Sequence, residues 1–198
     1  MKKEKKQNIW REIKQNFWKS VLYLKESRNY VYAVALIFLA GGILGFIFFE
    51  NFSFIDAFLE EIIKKTEGMG AFELIAFIFQ NNLWSAFISL IAGLVFGIFP
   101  VLNSIFNGII IGYVMRRVAI ANGILEFWRI LPHGVFELPA VFISFALGLK
   151  LGMFLFSKNR IRTLRERALY SIMIFLGIIL PLLLVAAIIE GVLIFVLR

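Results

Sequence analysis

The 198-residue sequence contains no cysteine and a single histidine. The first absence excludes disulfides, thiol nucleophiles and thiolate metal sites, and the second excludes any site built from several histidines. Charged residues are also scarce, at 17%, where a soluble domain carries about a quarter. No lysine-bearing phosphate loop, H-E-x-x-H pair, G-x-S-x-G elbow or G-x-G-x-x-G turn after a strand is present. With no complete catalytic motif the chain reads as a non-enzyme, and neither a metal nor another cofactor is expected.

Apolar residues make up 61% of the chain and gather in long blocks, the pattern of membrane spans. The blocks predict spans at about 30–49, 83–99, 105–120, 133–151 and 168–197. Twenty helical residues reach ~30 Å, the thickness of the hydrocarbon core. The expected fold class is all-α: a polytopic transmembrane helical bundle of about five spans over 30–198, with amphipathic interfacial helices. Four or six spans stay open, because 71–79 is apolar apart from Glu73 and either lies in the interface or re-enters the bilayer. Pro100, then Asn103 and Ser104, suggest a tight hairpin between the second and third spans. The last block would extend ~45 Å as one helix, so it must tilt, kink or protrude, and Pro181 and Glu190 interrupt it.

Residues 1–29 carry nine Lys/Arg and three Glu. Trp10, Ile13, Phe17, Val21 and Leu24 recur at spacings of three and four, while Lys14, Lys19 and Lys25 fall largely elsewhere. This is an amphipathic basic arm suited to the cytoplasmic membrane surface, with Trp10, Lys14, Phe17 and Lys19 as its contacts to anionic lipid. Its stripe also suits packing on the protein's own spans. No apolar stretch begins before about Tyr30, too late for a cleavable signal peptide. Residues 51–82 are acidic, and Ile55, Phe58, Leu59 and Ile62 predict a second amphipathic helix on the opposite side.

The net charge of +8 could indicate a nucleic-acid partner, but the cations flank apolar blocks, where they set topology and attract anionic lipid. Nucleic acid is therefore not expected. Fifteen Lys/Arg fall on the N-terminal side of the five-span layout and six on the other, which puts the N-terminus in the cytoplasm of a multi-pass plasma-membrane protein. Arg116 and Arg117 fit awkwardly at an outer end, and Trp128 and Arg129 are expected at the interface.

Leu131–Gly152 is the densest segment. Pro132 suits a first helical turn, and His133 and Glu137, four apart, share one face. Gly134 offers access to backbone, and Pro139 frees the Val135 carbonyl. An ionisable group in a span is costly unless paired or wet, so Glu137 is either a proton, cation or metal site or a structural acceptor. Glu190, Asn103 and Asn107 are the candidates to complete this intramembrane centre. Gly93/Gly97, Gly108/Gly112 and Gly148/Gly152 are small-xxx-small pairs that let helices approach and permit a homodimer.

The segments FPVLNSIFNGIIIG at 99–112 and LPHGVFELPAVFISFALGLKLG at 131–152 resemble the stage II sporulation protein M family of polytopic membrane proteins. The resemblance covers roughly residues 30–198, and the matching positions are Asn107, Gly108, Gly112, Pro132, His133, Gly134, Glu137, Pro139 and Gly148. It implies a multi-span bundle. The family's namesake acts in a membrane complex with cell-wall hydrolases during engulfment, and nothing in this sequence shows sporulation. The resemblance assigns these residues no chemistry, and the family extends to archaea that make no spores. The expectation is a non-enzymatic scaffold or complex subunit with other membrane proteins as partners. The alternative is a small-ion or small-solute transporter with its site at His133 and Glu137.

Overall fold

Inside a bilayer no water is available to the backbone, so each span must close its own hydrogen bonds, and a helix does so within one segment. The computed structural model describes residues 2–123, 127 and 131–197, with side chains except at 2–11, 13, 122, 131–133 and 197. Among the described residues there is no strand. The helices are α1 (Lys2–Glu26), α2 (Arg28–Ile47), α3 (Phe54–Thr66), α4 (Ala71–Ala92), α5 (Ile98–Asn122), α6 (Leu131–Gly152), α7 (Arg160–Ile174) and α8 (Leu180–Leu197). Among the described residues five helices are long and apolar enough to cross a membrane: α2, α4, α5, α6 and the continuous helix from α7 to α8. The chain is a multi-pass membrane protein.

The second span differs most from expectation. It is Ala71–Ala92 rather than 83–99, and the turn falls at 93–97 rather than at Pro100–Ser104. Glu73 does not interrupt this helix but starts it: its Oε2 accepts the Gly70 N–H at 2.8 Å, the reach-back of a third-position acid. Pro100 lies in the first turn of α5, where no N–H is required of it. Phe96 and Gly97 take positive φ, of 55° and 70°, which reverses the chain in so few residues. The third span accordingly starts at Ile98 rather than 105.

The last span begins earlier than 168, at Arg160, and contains a π-helical stretch, Phe175–Ile179, just before Pro181. Widening the helix there accommodates the ring that cannot donate and would crowd the preceding turn. At 160–197 it reaches ~57 Å, so its charged first turns project beyond the hydrocarbon. By contrast α6 runs through Pro139 without a break.

Helix α6 is the hub. Ala140, Phe145, Ala146 and Leu147 are fully buried against α4, α8 and α2, with Ala86, Val34, Ile179 and Leu183 among their neighbours. Apolar matter outside the helices is lipid, so this association rests on close packing and interhelical hydrogen bonds rather than on escape from water. Phe38 of α2 meets Phe142 of α6 edge-on at 5.1 Å. The arm α1 packs on α7, with Ser20 and Tyr23 buried and Phe17 against Gly177 of the π stretch. Helix α3 holds to the bundle through buried Ile55 and leaves Phe54, Phe58 and Ile63 exposed.

Candidate intramembrane polar site

Asn103 and Asn107 stand one turn apart on α5, where Asn103 reaches α4, not the start of α6, and Asn107 bonds Asn103. Asn103 Nδ2 donates to Ser89 Oγ at 2.5 Å and Ser85 Oγ at 3.3 Å, and Asn107 Nδ2 donates to the Asn103 carbonyl and Oδ1, both at 2.8 Å. The two serines are spaced to lie on one face of α4. Ser104 Oγ donates to the Val34 carbonyl of α2 at 2.9 Å, and Ser144 Oγ to the Ala86 carbonyl of α4 at 2.8 Å. Each short polar side chain therefore bonds a neighbouring span or turn. Asn103→Leu, which strands both serines, is expected to cost ~1–2 kcal/mol. A fall in Tm measured in detergent, with Asn107→Leu falling less, checks this.

The expected single centre of His133, Glu137, Asn107, Asn103 and Glu190 is divided in the fold. Asn103 and Asn107 enter near the α5 start, whereas Glu137 is ~9 Å from the α6 start at the opposite end. Glu137 is half-buried and has an interaction partner. Pro132 and His133 are helical, but their side chains lie outside the described residues, as does that of Trp10 and the whole of Trp128 and Arg129. Glu190, half-buried, is ~10 Å from the end of α8, a depth similar to that of Glu137. Among the described residues no three of His, Asp and Glu gather to hold a metal.

The glycines form two seams. Those of α2 and α5 face each other: a Cβ on Gly41 or Gly45 would strike the Ile105 and Ile109 carbonyls, and one on Gly108 or Gly112 the Phe38 and Gly42 carbonyls. Gly93, Gly148 and Gly152 repeat this between the α4 end and α6. Gly134 differs, since among the described residues a Cβ there would meet only the Leu138 side chain, at 3.6 Å.

At the end of α6 lies a joint that the sequence pattern did not single out. Lys150 is buried, and its Nζ sits 3.7 Å from the Tyr23 ring centre and donates to Ser27 Oγ at 2.9 Å. Arg167 donates to the Lys150 carbonyl, and Tyr170 packs at 5.6 Å from Tyr23. Burial pushes the Tyr23 phenol up to about 12, so it stays neutral at physiological pH. One signal was available: a lone lysine inside an apolar helix end. At the opposite side the awkward cations find partners. The Arg116 guanidinium lies over Phe46 and Phe49 at 5.3 and 5.4 Å, and Arg117 Nε approaches Asp56 of α3 at 3.7 Å.

Comparison with known proteins agrees with this architecture. The profile of the family described as stage II sporulation protein M matches residues 34–193, which reaches into all five spans. An uncharacterised protein of Methanocaldococcus jannaschii is 34% identical over 119 residues, covering 59% of this chain and 64% of that relative. The chain thus spans less than two thirds of the relative's length. No solved structure matches the chain.

Proposed function

The chain belongs to the stage II sporulation protein M family, and from that membership and its packing we propose that it is a non-enzymatic scaffold or subunit of a membrane complex. The observation that carries this reading is that Asn103, Ser104 and Ser144 bond across spans whose backbones meet at glycine seams. Such contacts fix helix positions. They leave α1 and α3 as the faces open to partners: Trp18 and Leu22 are exposed on one, and Phe54, Phe58 and Ile63 beside Glu60 and Glu61 on the other. The excess of basic residues on the side of α1 supports a cytoplasmic N-terminus.

A second reading, transport of a small ion or solute, is favoured by one observation: α6 and α8 pack together and carry Glu137 and Glu190 at similar depth. Proteoliposomes separate the two. The scaffold reading expects cation and small-solute flux no greater than in empty vesicles. It also expects single cysteines on α3, which meet no background thiol, to crosslink to a discrete partner in native membranes. Flux above the control that disappears in Glu137→Gln at unchanged folded yield would overturn it.

A further inference from the structure

We propose that the connection from α6 to α7 is a seat for the headgroup of an anionic phospholipid. An open cleft of about 610 Å³ is lined there by Lys158, Asn159, Arg160, Ile161 and Arg162. Arg162 shares Glu166 at 2.9 Å, one turn away, but Lys158 and Arg160 have no ion pair among the described residues. Glu166 is the sole carboxylate between Glu137 and Glu190, so the positive charge of this stretch is not neutralised from within it.

Charge alone would suit any anion. The apolar surroundings select an amphiphile. Ile161 is 85% exposed in the middle of the cationic run, and Phe156, just before it, is 73% exposed. The Phe156 ring stands 6.5 Å from that of Phe96, which brings the α4–α5 hairpin to the same end of the bundle with Val95 and Phe96 exposed. A phosphate placed on Lys158 and Arg160 would leave its glycerol and upper chain beside these apolar groups. A soluble anion would use the cations and leave the aromatic collar uncovered. Spans anchor the connection at both ends, so its cations are held at the depth where headgroups lie.

Titration of the whole detergent-solubilised chain, with bound lipid counted by native mass spectrometry, tests this. Phosphatidylglycerol, phosphatidylcholine and glycerophosphate are the probes. Phosphatidylglycerol is expected to saturate at concentrations where phosphatidylcholine barely binds. Each basic residue near an anionic surface contributes a factor of about five, so K158Q/R160Q/R162Q should weaken phosphatidylglycerol binding about a hundredfold. These side chains are exposed, so the variant is expected to fold, and an unchanged Tm without lipid checks that it does. The variant K64Q/K65Q, whose exposed side chains lie on α3 at the opposite end of the bundle, should bind within about twofold of the parent. Equal binding of the two lipids overturns the proposal, as does full binding by the triple variant. Displacement by glycerophosphate at matching concentration overturns it in favour of a soluble anion site.

Discussion

Gly108→Leu is expected to leave little folded protein, and Gly112→Leu the same. At both positions the first atom to be met is a backbone carbonyl of α2, at Phe38 or Gly42. A clash with a flexible side chain is relieved by rotation, but one with a carbonyl is relieved only by moving the helix. Overpacking of a core usually costs ~1–3 kcal/mol. Here the cost should exceed the upper end, because separating α2 from α5 also withdraws Gly41 and Gly45 from Ile105 and Ile109 and strains the Ser104 bond to Val34. Lipid supplies no hydrophobic force to push the helices back together. Monodisperse yield after detergent extraction, with Tm for whatever remains, is the measurement. A Gly41→Ala/Gly112→Ala pair should cost less than the sum of its singles, since one separation relieves both clashes. Normal yield and Tm for Gly108→Leu would mean that the two backbones do not meet in the membrane.

The spans were legible because apolar length is a strong signal that tolerates small errors. Their ends were less so, and α4 shows why. Glu73 reads as a polar interruption when only composition is weighed, and as a helix start when its reach to the Gly70 N–H is known. The same residue carries both meanings, and geometry chooses between them. Pro100 misled in the same way: a proline can follow a helix or open the next, and here it opens α5.

The polar residues were legible as residues but not as a set. Glu137, Asn103 and Asn107 stand out in apolar helices, yet which of them meet depends on helix order and on depth. Asn103 bonds Ser85 and Ser89, residues too ordinary to draw notice, while Glu137 sits at the other end of the bundle. Pro139 removes one backbone bond from α6, but the helix continues through it, and the local widening occurs before Pro181 instead. Sequence marks where a helix is able to yield. Packing decides where it does.

Tyr23→Ala is expected to release the basic arm, and Lys150→Met to leave it docked, although both remove the same contact. The tyrosine ring is buried between the Lys150 ammonium at 3.7 Å and Tyr170 at 5.6 Å. Truncating a buried aromatic costs ~3–5 kcal/mol, and it also takes from the ammonium its largest neighbour. Lys150 itself is a different matter. Its ammonium lacks an ion pair among the described residues and is held by the ring, by Ser27 Oγ at 2.9 Å and by the Tyr23 carbonyl at 3.4 Å. A desolvated cation over a ring gains ~2 kcal/mol, and a charged hydrogen bond ~1.5–3 kcal/mol. Burying an ion costs several kcal/mol, so the terms nearly cancel. Methionine keeps the stem's volume against Tyr23 and removes both sides of that balance, for a net change within about 1 kcal/mol. Limited trypsin digestion at Lys25 and Arg28 measures arm release directly. Cleavage should speed up at least tenfold in Tyr23→Ala, and in Lys150→Met it should stay close to the parent rate at Arg28. Equal acceleration in both would show that the ammonium, rather than the buried ring, fastens the arm to the bundle.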